Sequence, residues 1–186
     1  GVKFKQVWDG FVYHLTSRGS RRNTLDKAVN VYTDSPEWLA QNRRSTRNFI
    51  RKWGHFVMHD ALLVPIVPPK YNIGIILSNA DLKLIDALEP WCDCLCVDCD
   101  FTSYIENEQP NTTYNLNDRI HKDTECNSDV KVFINGKSFT ENDYQVINQL
   151  SQIIQNSGEP NGKYVLGNIK VEIKDKKDLT KNLIKL

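Results

Sequence analysis

The strongest constraint on the fold is the order of apolar segments between residues 71 and 99. The run YNIGIILSN is typical of a buried β-strand, and residues 80–89 form a helix-length segment that ends before Pro90. Its predicted inward face consists of Leu82, Ile85 and Leu88. The run DCLCVDC then predicts a second strand. Because a strand–helix–strand order favours parallel pairing, the sequence predicts an α/β protein.

The segments after residue 127 extend this pattern. VKVFING predicts a strand that ends in the Asn135-Gly136 turn, and Thr140 is a typical first residue for the next helix. GKYVLGNIKVEIKD predicts two strands around Gly167-Asn168. The predicted fold class is therefore α/β, with α+β as the alternative. The predicted sheet is mixed, with about five strands, and packs against two main helices.

The first part of the chain predicts a hairpin and one long helix. Two apolar runs flank the turn signal Asp9-Gly10, which predicts a β-hairpin. The triplet Ser35-Pro36-Glu37 signals a helix start, and this helix is predicted to continue to Gly54. Its predicted buried stripe consists of Leu39, Phe49, Ile50 and Trp53. Its predicted cationic side consists of Arg43, Arg44, Arg47 and Arg51.

Residues 62–70, LLVPIVPPK, separate these two parts. Their three prolines remove backbone donors and fix φ, which predicts a stiff linker between domains at residues 1–61 and 71–186. The charge distribution supports two units: residues 1–70 carry a net charge of +7, and residues 71–186 carry −6. The basic first unit is suited to an anionic partner.

The composition narrows the class of protein. Hydrophobic residues make up 40% and charged residues 25% of the chain, which is ordinary for a folded domain. No apolar run approaches the roughly 18 residues of a membrane span, and the sequence has no signal-peptide pattern, so none is expected. An odd number of cysteines does not fit a secreted disulfide framework. A cytoplasmic location is therefore expected.

The stretch FVYHLTSRGSRRN, residues 11–23, is the main candidate for chemistry. A strand-like run leads to His14, and the arginines Arg18, Arg21 and Arg22 follow. Neutral imidazole is a common metal ligand, and guanidinium groups suit phosphate oxygens. The site hypothesis is thus metal binding by His14 and phosphate binding by the arginines. The alternative is a structural histidine followed by a solvated basic loop.

The motifs VYHLTSRGSRRN and NFIRKWG resemble, in order and spacing, the C-terminal end of the catalytic domain in GT-A-fold, family-2-like glycosyltransferases. The resemblance covers about residues 1–60. It implies that His14 completes the coordination of Mn²⁺ or Mg²⁺ on the diphosphate of a nucleotide-sugar. Arg18, Arg21 and Arg22 would then contact the diphosphate, and Trp53 and Gly54 would be structural. A glycan acceptor is the implied second substrate of the complete enzyme.

The resemblance does not extend to several parts that a complete catalytic domain of this family needs. In the family, the nucleotide-binding half, a DxD motif and an acidic base all precede the matched segment. The resemblance therefore implies a fragment that is inactive alone, and the DCD string at Asp98 and Asp100 is taken as accidental. Because an incomplete sheet exposes edges that invite pairing, a homodimer is one expectation.

A non-catalytic module is the alternative function. In it, residues 71–186 would serve binding or assembly, and the basic N-terminal unit would contact nucleic acid or another anionic partner. The candidate phosphate contacts are Arg43, Arg44, Arg47, Arg51 and Lys52. Between these alternatives the glycosyltransferase is preferred, so nucleic acid is not the expected partner.

Four cysteines crowd into the segment WCDCLCVDC, Cys92–Cys99. Their spacing is not the paired CxxC pattern of most zinc sites. In a strand, Cys94 and Cys96 would point one way, and Leu95 and Val97 the other. The simplest interpretation is buried thiols that act as small hydrophobic side chains. The alternative is a metal site that combines cysteines of this cluster with Cys126 or His121.

Overall fold

A computed structural model of the chain describes residues 34–122, 125–158 and 160–183. The predicted hairpin, His14 and the arginines Arg18, Arg21 and Arg22 lie outside the described residues. Among the described residues, the chain divides between Ser45 and Thr46 into two compact units. The predicted assignment of residues 1–61 to a transferase segment and of residues 71–186 to an accessory domain stays a prediction.

The described residues form an α/β fold, as predicted. The helices are α1 (Pro36–Trp53), α2 (Leu82–Leu88), α3 (Thr102–Glu108), α4 (Glu141–Asn148), α5 (Leu150–Ser157) and α6 (Thr180–Leu183). The strands are β1 (Ile73–Ser78), β2 (Cys94–Val97), β3 (Ile120–His121), β4 (Val130–Asn135), β5 (Gly162–Leu166) and β6 (Ile169–Ile173). Short 3-10 turns follow α2, α3 and β4 and precede β3.

The sheet has six strands in the order β3-β2-β1-β4-β6-β5, where about five were expected. Strands β3, β2, β1 and β4 are parallel, which confirms the predicted strand–helix–strand unit. Strands β5 and β6 form an antiparallel hairpin whose turn contains Gly167 at φ 62°. The added strand is β3, whose two residues are too few to show an alternating pattern.

The main core lies on one face of the sheet. Alternate residues of the central strands belong to a single apolar cluster, including Ile75 in β1 and Leu95 in β2. Helix α2 contributes Ile85 and Leu88 to it, as predicted. The prediction for Leu82 is wrong, because this first residue of α2 is 44% exposed.

Helix α1 begins and ends where the sequence predicts. The Ser35 hydroxyl accepts a hydrogen bond from the Trp38 amide at 3.2 Å. Trp53 is the last helical residue, and Gly54 follows at φ 76°, a conformation that glycine adopts without strain. Leu39, predicted to be buried, is 52% exposed, because the buried residues of α1 lie in its C-terminal half.

The predicted cationic side of α1 is wrong for Arg47 and Arg51, whose side chains are buried and form ion pairs. The Arg51 guanidinium donates to Glu89 at 2.7 Å and to Glu108 at 2.6 Å. Arg47 donates to Glu108 at 2.7 Å and to the Tyr104 hydroxyl at 2.6 Å. The last turns of α1 are therefore held to the ends of α2 and α3 by a buried ionic network.

Arg119 completes this network from the turn before β3. Its Nε atom donates to Glu89 at 2.9 Å, so Glu89 contacts the guanidinium groups of Arg47, Arg51 and Arg119 while its side chain is fully buried. Burial alone would raise the pKa of Glu89. The hydrogen bonds and charges of Arg51 and Arg119 outweigh burial and hold this pKa below its ordinary value.

Asp143 connects α4 to the β5–β6 turn. Its carboxylate accepts hydrogen bonds from the Thr140 amide at 2.8 Å and from the Asn168 amide at 3.1 Å. The side chains of Thr140 and Asn168 also donate to it.

We expect Asp143→Asn to lower the free energy of unfolding by about 1–3 kcal/mol, because an amide nitrogen would face these donors. Urea denaturation at pH 7 measures this change.

The pH dependence of the free energy of unfolding tests whether the charged Asp143 carboxylate causes this stabilisation. Burial acts to raise the pKa of Asp143, but the hydrogen bonds from Asn168 and Thr140 lower it to about 2. The stabilisation is therefore present above pH 3.8, the ordinary pKa, and is lost as the pH falls through about 2. Glu141→Gln, at an exposed acid in the same helical turn, should cost less than about 1 kcal/mol. Equal losses in the two variants would contradict the assignment.

Candidate metal centre

Three cysteine thiols meet on the face of the sheet opposite the main core. Cys94 and Cys96 lie two residues apart in β2 and point to the same side, with their sulfurs 4.0 Å apart. Cys126, in the segment between β3 and β4, places its sulfur 2.9 Å from that of Cys96. All three sulfurs lie within 4.8 Å of one another, and none of the three cysteines forms a disulfide bond.

A glycine in β1 makes room for this thiol cluster of Cys94, Cys96 and Cys126. Gly74 pairs with Cys94 in the parallel ladder between β1 and β2. A Cβ atom on Gly74 would lie 2.7 Å from the Cys126 Cβ and 2.6 Å from the Ser128 Oγ. Because such distances are not tolerated, a side chain at position 74 would displace the segment that carries Cys126.

The thiol cluster is buried but separate from the main core. Cys96 and Cys126 are 1% and 2% exposed, yet neither belongs to the apolar cluster that contains Leu95. The Ser128 hydroxyl beside them is also buried and has no hydrogen-bond partner. Polar groups left buried without a partner are uncommon and costly. The two cysteines are thus not simply part of the apolar core.

The electrostatics of the cluster favour a thiolate at Cys94. Its hydrogen bond with Cys126, helped by the one with Cys96 and by the charges of His121 and Arg119, outweighs burial. Together they lower the pKa of Cys94 to about 6. The pKa of Cys126 is raised, first because it shares that hydrogen bond with Cys94 and then because it is buried. A partly deprotonated group of thiols is a starting state suited to a metal cation.

His121 lies on the neighbouring strand. It pairs with Cys96 in the parallel ladder between β2 and β3, and its ring is partly buried. Its Nε2 atom lies 3.1 Å from the Asp118 carbonyl oxygen. In the tautomer in which Nε2 donates to this carbonyl, Nδ1 keeps a free lone pair. The ring nitrogens of His121 do not lie within 4.8 Å of all three sulfurs.

The structure brings together three of the cysteines that the alternative interpretation, a metal site, would use. The side chains of Cys94 and Cys96 point to the face opposite that of Leu95 and Val97, as predicted. The sulfur of Cys126 lies next to those of Cys94 and Cys96. Cys92 does not join: its thiol contacts backbone carbonyls of α2 and the following turn, and burial raises its pKa. Sequence reasoning did not assign a role to Gly74 or Ser128. The role of Gly74 had a signal in the sequence, because an isolated glycine in a strand often marks a close approach of another chain segment.

The acids of the DCD string have local structural roles. Asp98 accepts hydrogen bonds from the amides of Asn79 at 2.6 Å and Ala80 at 2.9 Å, and these fix the turn after β1. Asp100 accepts from the Thr102 amide and hydroxyl at the start of α3. Among the described residues, neither acid belongs to a group of three metal-ligand side chains. The candidate site therefore consists of thiols.

Fold and site together define an α/β protein with a candidate thiolate metal centre. Comparison with known proteins finds no matching family model, no matching curated protein and no matching solved structure. In the part of the chain that the structure describes, no helix has the length and apolar character needed to cross a membrane.

Proposed function

We propose that this chain is the C-terminal segment of a GT-A-fold, family-2-like glycosyltransferase followed by an accessory α/β domain. The observation that carries the proposal is the match of two separated motifs, VYHLTSRGSRRN and NFIRKWG, in the family's order and spacing. Helix α1 is compatible with the second motif, because it ends at Trp53 and the chain turns at Gly54.

The proposed chemistry is transfer of a sugar from a nucleotide-sugar to a glycan acceptor. In it, His14 binds the divalent cation, Mn²⁺ or Mg²⁺, that neutralises the diphosphate. Arg18, Arg21 and Arg22 contact the same diphosphate. A divalent cation and guanidinium groups stabilise the charge that develops on a departing nucleoside diphosphate, which is the main electrostatic requirement of this reaction.

The accessory role of the α/β domain is supported by the state of its buried acids. Glu89 and Glu108 are held by arginines, and Asp143 caps α4. A general base needs a carboxylate that can reach the substrate and exchange a proton. These three carboxylates are committed to structure, so we assign none of the three a catalytic role.

We expect His14→Ala to weaken divalent-metal-dependent binding of the nucleotide-sugar by at least about tenfold, since a metal ligand is lost. The test uses the full reading frame that contains this chain, with nucleoside diphosphate release from a panel of nucleotide-sugars measured against Mn²⁺ concentration. His59→Ala, at an exposed histidine, is the matched control and should leave the metal dependence unchanged. An unchanged Mn²⁺ dependence in His14→Ala would contradict the assignment. A reading frame without an upstream DxD motif and acidic base would overturn the transferase itself.

The alternative, a module that binds nucleic acid through α1, has less support. Two of its five candidate phosphate contacts, Arg47 and Arg51, are buried against glutamates. A buried guanidinium that is already paired cannot also follow a phosphate backbone. Salt-dependent binding to arbitrary oligonucleotides would nevertheless favour this alternative over the transferase.

A further inference from the structure

We propose that Cys94, Cys96, Cys126 and His121 bind one Zn²⁺ ion in a Cys₃His centre that links β2 to β3 and to the segment before β4. This centre is independent of the transferase proposal, because none of its residues belongs to the segment that resembles the glycosyltransferases. It would be a structural site, with all four positions filled by side chains.

The sulfur positions are close to those that a tetrahedral zinc site needs. Zinc–sulfur bonds of about 2.3 Å at tetrahedral angles place sulfurs roughly 3.8 Å apart. The sulfurs of Cys94 and Cys96 are 4.0 Å apart. Those of Cys96 and Cys126 are 2.9 Å apart and would have to separate. Cys126 lies outside the regular strands, so this adjustment falls on a loop rather than on the sheet.

The chemistry of the ligands favours Zn²⁺ over hard cations. Thiolates select soft or borderline ions, and imidazole also suits zinc, whereas Mg²⁺ and Ca²⁺ require oxygen ligands. Three adjacent thiols form only weak S–H···S contacts with one another. A zinc ion would replace these contacts with metal–sulfur bonds and would explain why Cys96 and Cys126 are buried together outside the main core.

His121 has the arrangement expected of a metal-binding histidine. Such residues donate one ring N–H to a carbonyl or carboxylate and bind the metal through the other nitrogen. Here the Asp118 carbonyl lies 3.1 Å from Nε2, which assigns Nδ1 to the zinc. His121 pairs with Cys96 across the ladder, so both belong to the same face of the sheet.

The unpartnered hydroxyl of Ser128 is a second, independent sign of a ligand. It is buried beside Cys126 and has no acceptor. A buried polar atom without a partner is costly, and its place beside Cys126 fits a site that takes a charged ligand.

The main competitor is a disulfide between Cys96 and Cys126, whose sulfurs are the closest pair. A disulfide would consume two of the three thiols and remove two ligands. Purification under reducing conditions with added Zn²⁺ prevents the disulfide, and gel filtration followed by elemental analysis then measures the bound metal. We expect about one zinc per chain, retained against a weak chelator.

Variants assign the ligands. We expect Cys94→Ser, Cys96→Ser and Cys126→Ser each to lower zinc affinity at least about a hundredfold, and His121→Ala about tenfold or more, in competition with a chromophoric chelator. Cys99→Ser is the matched control, since this partly buried cysteine of the same segment is outside the cluster. It should keep the full affinity. Equal losses in Cys99→Ser and Cys126→Ser would overturn the proposal.

A measurement on the unaltered chain guards against variants that fail to fold. Substitution by ¹¹³Cd gives an NMR shift that reports the number of bound sulfurs, and we expect the shift of an S₃N site. A shift typical of oxygen ligands, or a reduced protein that retains no metal, would overturn the proposal. Zinc should also raise the midpoint of thermal unfolding, because it binds only the folded arrangement.

Discussion

Glu89→Gln is expected to lower the free energy of unfolding by about 3–5 kcal/mol, the usual cost of removing one partner from a buried ion pair. The Glu89 side chain is fully buried and contacts Arg51 at 2.7 Å and Arg119 at 2.9 Å. Arg47 lies 3.5 Å from the same carboxylate. Glutamine removes the charge that compensates all three guanidinium groups. Because Arg51 has no exposed side-chain surface, its charge would stay buried with Glu108 as its remaining ionic partner.

The loss is measured by urea denaturation at pH 7 against a matched variant. Glu172→Gln makes the same chemical change at a surface pair with Lys163, whose side chain is 80% exposed and lies 3.6 Å away. That variant should cost less than about 1 kcal/mol. If the two variants lost the same stability, the buried network would have no special role in holding the last turns of α1 to α2 and α3.

The same network contributes to the loss of stability in acid. Burial acts to raise the pKa of Glu108, but the hydrogen bonds and charges of Arg51 and Arg47 lower it, as those of Arg51 and Arg119 do for Glu89. Groups whose pKa is lower in the folded protein stabilise it above their ordinary pKa of 4.5, and this stabilisation is lost as the pH falls below that value. Glu89→Gln should therefore show a shallower loss of stability with acid than the wild-type chain.

The parts of the fold that local signals encode were predicted correctly. Ser35-Pro36 marks the start of α1, and Gly54 marks its end. Thr140 starts α4 through a capping box with Asp143. Each signal lies within a few residues of the element that it defines, so one stretch of sequence is enough to recognise it.

The ionic network could not be predicted in the same way. Arg47 and Glu108 are 61 residues apart, and Arg51 and Glu89 are 38 apart. On the helix alone, these arginines match the spacing of an exposed cationic side, and only the packing of α1 reverses that interpretation. Long-range contacts of this kind override local pattern.

The thiol cluster could be predicted in part from the sequence. The alternation of Cys94 and Cys96 with Leu95 follows from strand geometry and was predicted. Cys126 is 30 residues from Cys96 and lies in a segment without regular structure. Its position therefore had no signal in the sequence, and its part in a metal site was only one of two interpretations. His14 and its arginines lie outside the described residues, and their roles stay predictions.

Gly74→Ala is expected to lower the free energy of unfolding by about 1–3 kcal/mol, the range of overpacking in a tight site. The added methyl group would lie 2.7 Å from the Cys126 Cβ and 2.6 Å from the Ser128 Oγ. Because β1 is central in the sheet, the displacement should fall on the segment that carries Cys126. This segment supplies one of the three thiols, so we also expect zinc affinity to fall at least about tenfold.

Gly162→Ala is the matched control for this variant. It adds the same methyl group to a strand of the same sheet, where the nearest atom is the Tyr164 hydroxyl oxygen at 3.4 Å, an ordinary contact. It should change stability by less than about 0.5 kcal/mol and leave zinc binding unchanged. Urea denaturation tests the packing of the Cys126 segment on β1, and the chelator assay tests the metal site. Full stability in Gly74→Ala would contradict that packing, whereas lost stability with unchanged zinc affinity would place the metal away from Cys126.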